Sequence, residues 1–441
     1  MNHQDPFAAP AIDIIRSRWP HIQRQLKREP LWQDIQLITE KPQPSFVCNG
    51  IQLASAYDPD AEAILQTSTV PSNPETLRVY GVGMGYLPRL LLERYPSLKT
   101  LEVYIFNASL FWELLNWVDQ SDWLSDERVV LKLPSSDSRP QPPWVVTPPC
   151  LWLADERAGD LRNHLLTKIN EENIKNLYNK RDPILKQHLR DNITTIEQDG
   201  DVAQLFGTLV NEPPEVVVAG AGPSLDRSAS LIAARQAQGA LLIAVDAALK
   251  PLLRTGVIPD ILITIDPLRD GVLPNFQGDL RCLHNATLVY FPVVAPDVLN
   301  AWPYKRMTAY SSHEFYRAVK RAHPRGELHT FGSVIHPAID LAVKMGACRI
   351  TLAGADFSFP SGKTHAKGFP HGKQMDEKEQ QQSAHCWVRN GYGEKVISSI
   401  NMIGYQQDLE KYISFHPLVE FINLSREGAA IAGTRYPEEQ S

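Results

Sequence analysis

The chain has 441 residues, 43% hydrophobic and 21% charged, which describes a globular protein with room for two or three domains. Forty-four basic against fifty acidic residues leave a net charge of −6 without a concentrated basic stripe, which argues against nucleic acid as a partner. A cytoplasmic protein with no membrane partner, disulfide framework or zinc site is expected. No apolar run approaches the roughly 20 residues that cross a bilayer, MNHQDPFAAPAIDII has neither the basic start nor the apolar core expected of a secretory leader, and Cys48, Cys150, Cys282, Cys348 and Cys386 form no CxxC pair.

Residues 1–135 read as a small α/β, Rossmann-like domain. A helix is expected over 14–26 and a strand over 77–80. Gly81-Val82-Gly83-Met84-Gly85 then turns the chain into a helix over 86–94, with a second strand over 101–106. A ribose site of this kind places an acid at the end of the second strand. That place holds Phe106-Asn107, and Glu102 lies at the other end, so close strand–helix packing is the better account of these glycines. Residues 136–210 form a connector. PSSDSRPQPPWVVTPP reads as a linker, and a helical stretch follows with a stripe of Leu165, Ile169, Ile174 and Leu177, interrupted at Asp182-Pro183.

From Val216 the pattern changes to alternating strands (216–219, 241–245, 261–265, 287–291, 349–353) and helices (225–238, 247–255, 334–346). This alternation predicts a parallel sheet covered on both faces, a Rossmann-like central domain over 211–390. Residues 391–441 add a helix over 400–412 and a polar tail. Ligands of such sheets sit outside the carboxyl ends of the strands, which here carry Gly220, Asp246, Asp266 and Gly354-Ala355-Asp356.

Val216–Ser224 reads VVVAGAGPS. An apolar strand, the turn Gly220-Ala221-Gly222, and Pro223-Ser224 at a helix start would aim backbone N–H groups and a helix dipole at one point, a phosphate site. Ser224 is a cap candidate. Asp246 and Asp266 either face the ligand crevice or serve as a cap and a strand end, and Asp260 reads as a turn residue. Gly332-Ser333 opens the next helix, with Ser333 its expected N-cap and a receptor for a carboxylate or phosphate. Asp356–Gly368 (DFSFPSGKTHAKG) has the makings of an active-site loop. Within it His365 is the acid–base candidate, and Thr364, Lys363 and Lys367, with His371 just beyond, are groups that could meet phosphate.

VVVAGAGPSLDRS, VDAALKPLLRTGVIPDILITIDP and FGSVIHPAIDLAVKMGACRITLAGADFSFPSGKTHAKG resemble, in order, the motility-associated-factor (Maf) glycosyltransferases, whose central domain is shared with archaeal 6-hydroxymethylpterin diphosphokinases. RVYGVGMGYLPRLLLERYP is similar to the glycine-rich preamble of bacterial Maf proteins, except that Phe106 stands where a strand-end glutamate is usual. More distantly, the same stretches are similar to bacterial sialyltransferases, whose sheet is a GT-A variant.

The resemblance implies transfer of a pseudaminic- or legionaminic-type nonulosonic acid from a CMP donor to serine or threonine of flagellin, in support of flagellum assembly and motility. Gly220, Gly222, Pro223 and Ser224 would cradle the nucleotide, although Ala221 replaces an asparagine. Gly332 and Ser333 would receive the sugar carboxylate, and His365 would be the general base. Asp246, Asp266, Gly354, Asp356 and Thr364 complete the expected donor site. No cofactor or metal is expected. The rival reading, a diphosphokinase, needs Mg²⁺ on grouped carboxylates, and Thr264 breaks the D-x-D pair that related kinases carry. A third reading is a non-catalytic flagellin-binding factor.

Overall fold

Val216–Ala219, Leu242–Val245 and Ile261–Thr264 are buried along their whole length, as strands covered on both faces must be. They form the centre of the larger of two compact units, residues 1–169 and 170–441, in a computed structural model. The model describes residues 8–26, 35–38, 45–68, 70–177, 183–209, 215–383 and 386–437.

In the first unit, β1 (Thr76–Tyr80), α1 (Tyr86–Arg94), β2 (Thr100–Tyr104), β3 (Val129–Lys132) and β4 (Trp144–Val146) build a parallel sheet in the order β3-β2-β1-β4. The proline-rich stretch expected as a linker thus supplies the edge strand β4. The helix expected over 14–26 is two, Ala8–Arg18 and Pro20–Leu26. Trp19 separates them because a residue before proline is pushed out of the α region.

The glycine loop after β1 serves packing. Gly81, Gly83 and Gly85 all have positive φ, and a Cβ on Gly81 or Gly83 would lie 2.4 Å from Cys150 Cβ or 2.8 Å from Thr147 Cγ2. Asn107 caps the helix Ala108–Trp117 by accepting Leu110 N–H at 3.0 Å. Glu102 pairs across the sheet with Arg78 (3.0 Å) and Lys132 (2.5 Å).

The second unit holds β5 (Gly200–Asp201), β6 (Glu215–Ala219), α2 (Leu225–Ala237), β7 (Leu241–Val245), α3 (Leu249–Arg254), β8 (Ile261–Thr264), β9 (Thr287–Tyr290), β10 (Arg306–Thr308), α4 (Ile335–Met345), β11 (Arg349–Ala353), α5 (Ile400–Ser414) and β12 (Glu420–Asn423). All eight strands are parallel, in the order β12-β11-β6-β7-β8-β9-β10-β5. The fold is α/β and Rossmann-like, as the alternation predicted. Successive strands step away from β6 as far as β10. The chain then returns to lay β11 and β12 on the other side of β6, so the topological switch lies between β6 and β11.

The stretches read as connector and tail are both part of this sheet, since residues 200–201 and 420–423 form its edges. The interruption expected at Asp182-Pro183 falls partly outside the described residues. Pro183 opens a helix to Asp191.

Candidate functional site

The switch point is where a ligand is expected first, and there the chain packs against itself. Gly220 N–H donates to Ala353 O (2.8 Å) and Gly222 N–H to Gly354 O (2.9 Å). A Cβ on Gly220 would lie 2.5 Å from Gly354 O, and one on Gly222 would lie 2.4 Å from Asp356 Oδ2 and 2.7 Å from Gly354 O. Gly354 itself takes φ +64°, so these three glycines let two strand-end loops touch.

Asp356, 3% exposed, accepts Ser224 N–H at 2.8 Å on Oδ2. The next amides of α2, Leu225 and Asp226, bond back to Gly222 O and Pro223 O. The Asp356 carboxylate therefore occupies the place a phosphate would take at the start of α2, which corrects the reading of residues 220–224 as an open cradle. Gly428 walls off the other oxygen, and Ala429 N–H holds Asp356 O at 2.7 Å. Burial holds the Asp356 carboxyl above the usual range. Ser224 is no side-chain cap either: it is already helical, and its buried hydroxyl completes no hydrogen bond.

Beyond β6 the strand ends open. Asp246, 5% exposed after β7, accepts Ala247 N–H (2.6 Å) on Oδ1 and the Thr264 hydroxyl (2.5 Å) on Oδ2. Burial pushes its carboxyl up to about 6, with the Asp266 charge adding to the rise. Asp266, after β8, turns the chain by accepting Leu268 N–H at 2.8 Å, and desolvation by the surrounding walls raises it too. Thr264 thus supports Asp246, and the Asp266 charge reaches Asp246 from the neighbouring strand. Asp260 ties the same strands at their other ends by accepting Leu242 N–H.

At the carboxyl ends of β8, β9 and β10 lies a cleft of about 250 Å³. Its walls come from four separate stretches: Ile265 and Pro267, Phe291 and Val293, Ser311–Tyr316, and Thr330–Gly332, with Leu185 contributing from upstream. Phe291, Phe315, Tyr316 and Phe331 make it aromatic.

The Thr330–Gly332 wall leads into α4. Among the described residues, the amides of Gly332, Ser333, Val334 and Ile335 donate to no protein acceptor. Ser333 does not cap the helix, because Val334 holds the flanking position and no side-chain bond is made there. Two buried polar atoms flank this turn without partners, Thr330 Oγ1 and His336 Nδ1. His336 donates Nε2–H to Tyr405 O (3.0 Å), and burial lowers its pKa, so the neutral ring keeps a bare lone pair on Nδ1. Gly332, at φ +83°, lies against the Tyr405 ring, where a Cβ would be 2.9 Å from Cε1. The Tyr405 phenol is raised by burial and by the Asp266 charge, which keeps it a proton donor. This turn therefore leaves a run of backbone amides at the start of α4 without protein acceptors, and the serine hydroxyl does not cap them.

His365 sits on a loop laid across the strand ends. Ala366 N–H donates to Ala221 O (2.9 Å), Lys367 N–H to Asp226 Oδ1 (2.8 Å) and His371 Nε2–H to Asp270 O (3.0 Å). The Thr364 hydroxyl closes this loop, accepting Lys373 N–H (3.0 Å) and donating to Lys373 O (3.2 Å). Its proton spent, Thr364 Oγ1 accepts from His365 Nδ1–H at 3.2 Å, which leaves Nε2 with the lone pair. The ring packs on Phe369 at 4.3 Å, and burial, then His371, lowers its pKa. His365 is thus neutral, oriented and basic at Nε2. Lys363 and Lys367 are exposed.

Residues 187–362 match the family described as 6-hydroxymethylpterin diphosphokinase MptE-like. That span holds the glycine loop, the carboxylates and most of the cleft, and it bears out the resemblance to the domain shared with those kinases. No curated protein matches the chain. The structure of a Maf glycosyltransferase from Magnetospirillum magneticum AMB-1 is similar, at 15% identity and a TM-score of 0.43, over 99% of this chain and 75% of that one.

Sequence reasoning missed the cleft, Tyr405 and the Asp356–Ser224 contact. The aromatic wall residues come from stretches that carry no motif of their own. A spare strand-end aspartate facing a GxGPS loop was the one available signal for the last.

Proposed function

We propose that the chain is a Maf-type glycosyltransferase that moves a nonulosonic acid from a CMP donor to serine or threonine of flagellin. The observation that carries this reading is the division of labour at the strand ends. The glycine loop is closed on the chain's own Asp356, so no polyphosphate cradle is left there, while an aromatic cleft abuts a turn of free amides. A flat base, one phosphate and one carboxylate match that arrangement better than a triphosphate does.

In this reading the sugar carboxylate meets the Gly332–Ile335 amides. His365 Nε2 takes the proton of the acceptor hydroxyl. Its oxygen bonds to the anomeric carbon as the bond to the phosphate oxygen breaks, and CMP leaves. Tyr405, held protonated, is a donor near the developing charge. A screen of nucleotides for thermal stabilisation tests this, because a ligand bound only by the folded state raises stability by RT ln(1 + [L]/Kd). CMP stabilising without metal is the expected result; stabilisation by ATP with Mg²⁺ alone overturns it.

One observation favours the diphosphokinase as a second reading. Asp246 and Asp266 stand at the ends of neighbouring strands, near enough for the Asp266 charge to add to the burial that raises Asp246. With Mg²⁺ and a polyphosphate those carboxylates would be the metal's protein ligands.

A further inference from the structure

His313 follows β10 and lines the aromatic cleft. Its Nδ1 accepts Phe315 N–H at 3.1 Å, so the neutral ring carries its proton on Nε2. His365 shows the opposite tautomer, with its bare nitrogen at Nε2. His313 also lines a second, open hollow with Ser312, Glu314, Arg317, Lys320 and Arg321. The charges of that shelf do not cancel. Arg317 pairs with Glu314 and Lys320 with Glu327, but Arg321 has no carboxylate partner among the described residues. The Ser312 hydroxyl is exposed and makes no hydrogen bond there.

The cleft's lining therefore runs into two sets of donors, the amides that begin at Gly332 and, through Ser312 and His313, the shelf that holds Arg321. A ligand that carries two separate negative groups fits both. The geometry points to a phosphate subsite at Ser312, His313 and Arg321, which takes the nucleotide monophosphate while the helix start takes the sugar's carboxylate. This deepens the glycosyltransferase reading and rests on it for the identity of the base. His313 Nε2–H and the Arg321 guanidinium supply charge-assisted donors to the phosphate, and Ser312 a neutral one.

The test compares each nucleotide with its own nucleoside. Binding of cytidine, CMP, adenosine and AMP to the full chain is measured by calorimetry for wild type, His313→Asn and Arg321→Ala. Asparagine keeps an acceptor for Phe315 N–H but does not reach as far as the lost Nε2 donor, so the turn stays capped. Wild type is expected to prefer CMP to cytidine by about ten- to hundredfold, the scale of a hydrogen bond to a charged group. Each variant should lose most of that preference while cytidine affinity stays as in wild type. A CMP preference equal in all three proteins overturns the subsite and leaves the CMP reading standing. If AMP is preferred to adenosine, the variants abolish that preference and CMP does not bind, the subsite stands and the CMP reading falls. No preference for either nucleotide in wild type overturns both.

Discussion

Asp246→Asn should make the protein more stable at pH 8 and leave it nearly unchanged at pH 4. Asp246 is 5% exposed, and its carboxyl is pushed from an ordinary 3.8 up to about 6. A carboxyl whose folded pKa is raised favours the folded state only while it is protonated. Its contribution is intact below pH 3.8, falls between 3.8 and about 6, and is gone above that. At ~1.4 kcal/mol per unit, the rise corresponds to a total loss of roughly 3 kcal/mol, of which about 2.5 kcal/mol falls between pH 4 and pH 8. Asparagine carries no charge and avoids that loss. Its oxygen still accepts Ala247 N–H, and the Thr264 hydroxyl can turn to accept from the new amide. Chemical denaturation of both proteins at several pH values measures the difference between them. The pH-dependent part is the quantity predicted, since a pH-independent offset from the swapped amide cancels. A stability difference between variant and wild type that does not move in the variant's favour from pH 4 to pH 8 refutes the reasoning. A gain bought with lost activity would fit a strained group at a working site.

Gly222→Ala is expected to destabilise the protein by ~2–4 kcal/mol, because the methyl meets Asp356 Oδ2 and the Gly354 carbonyl at once, and a drop in thermal midpoint reads it. Wild-type stability with lost nucleotide binding would return the loop to the ligand site. His365→Ala should reduce transfer to flagellin by ~10²-fold or more with donor affinity little changed. Because burial lowers its pKa, the acidic limb of kcat/KM in wild type should lie below pH 6.5, and a limb above that value removes His365 from the role of base. Glycosylation of flagellin followed by mass shift should persist in excess EDTA; loss of activity restored by Mg²⁺ would overturn the metal-free mechanism.

Much of the second unit was legible because its central strands are buried on both faces, and Val216–Ala219 or Leu241–Val245 can be little else. The edges were not. Gly200–Asp201, Arg306–Thr308 and Glu420–Asn423 are short, partly polar, and become strands only through a neighbour already in place. Trp144–Val146 was hidden among prolines. At the site, the glycines at 220, 222 and 354 were legible as places where something approaches the backbone closely. What approaches is the other strand-end loop, and with it the Asp356 carboxylate that holds Ser224 N–H from 132 positions further along the chain, which no local pattern announces. Ser224 and Ser333 show a related failure, since serine before a helix suggests a cap although the helix can start around it. The place of His365 was legible in a coarser way, because a polar loop after a parallel strand is put by topology at the strand ends, where its neighbours Ala366 and Lys367 are tied.

The order in which the sheet is completed bears on how the protein is made. β11 packs on β6 along one side, and its other side is covered only by β12, which follows α5 in the chain. During synthesis Arg349–Ala353 therefore presents a bare row of backbone donors and acceptors until Glu420–Asn423 has left the ribosome. An uncovered apolar strand is a template for pairing with other chains, and parallel pairing between distant segments is slow. The helix that carries Tyr405 arrives in the same interval. A nascent chain stalled between these segments would thus lack both the phenol that packs on Gly332 and its protection from neighbouring chains.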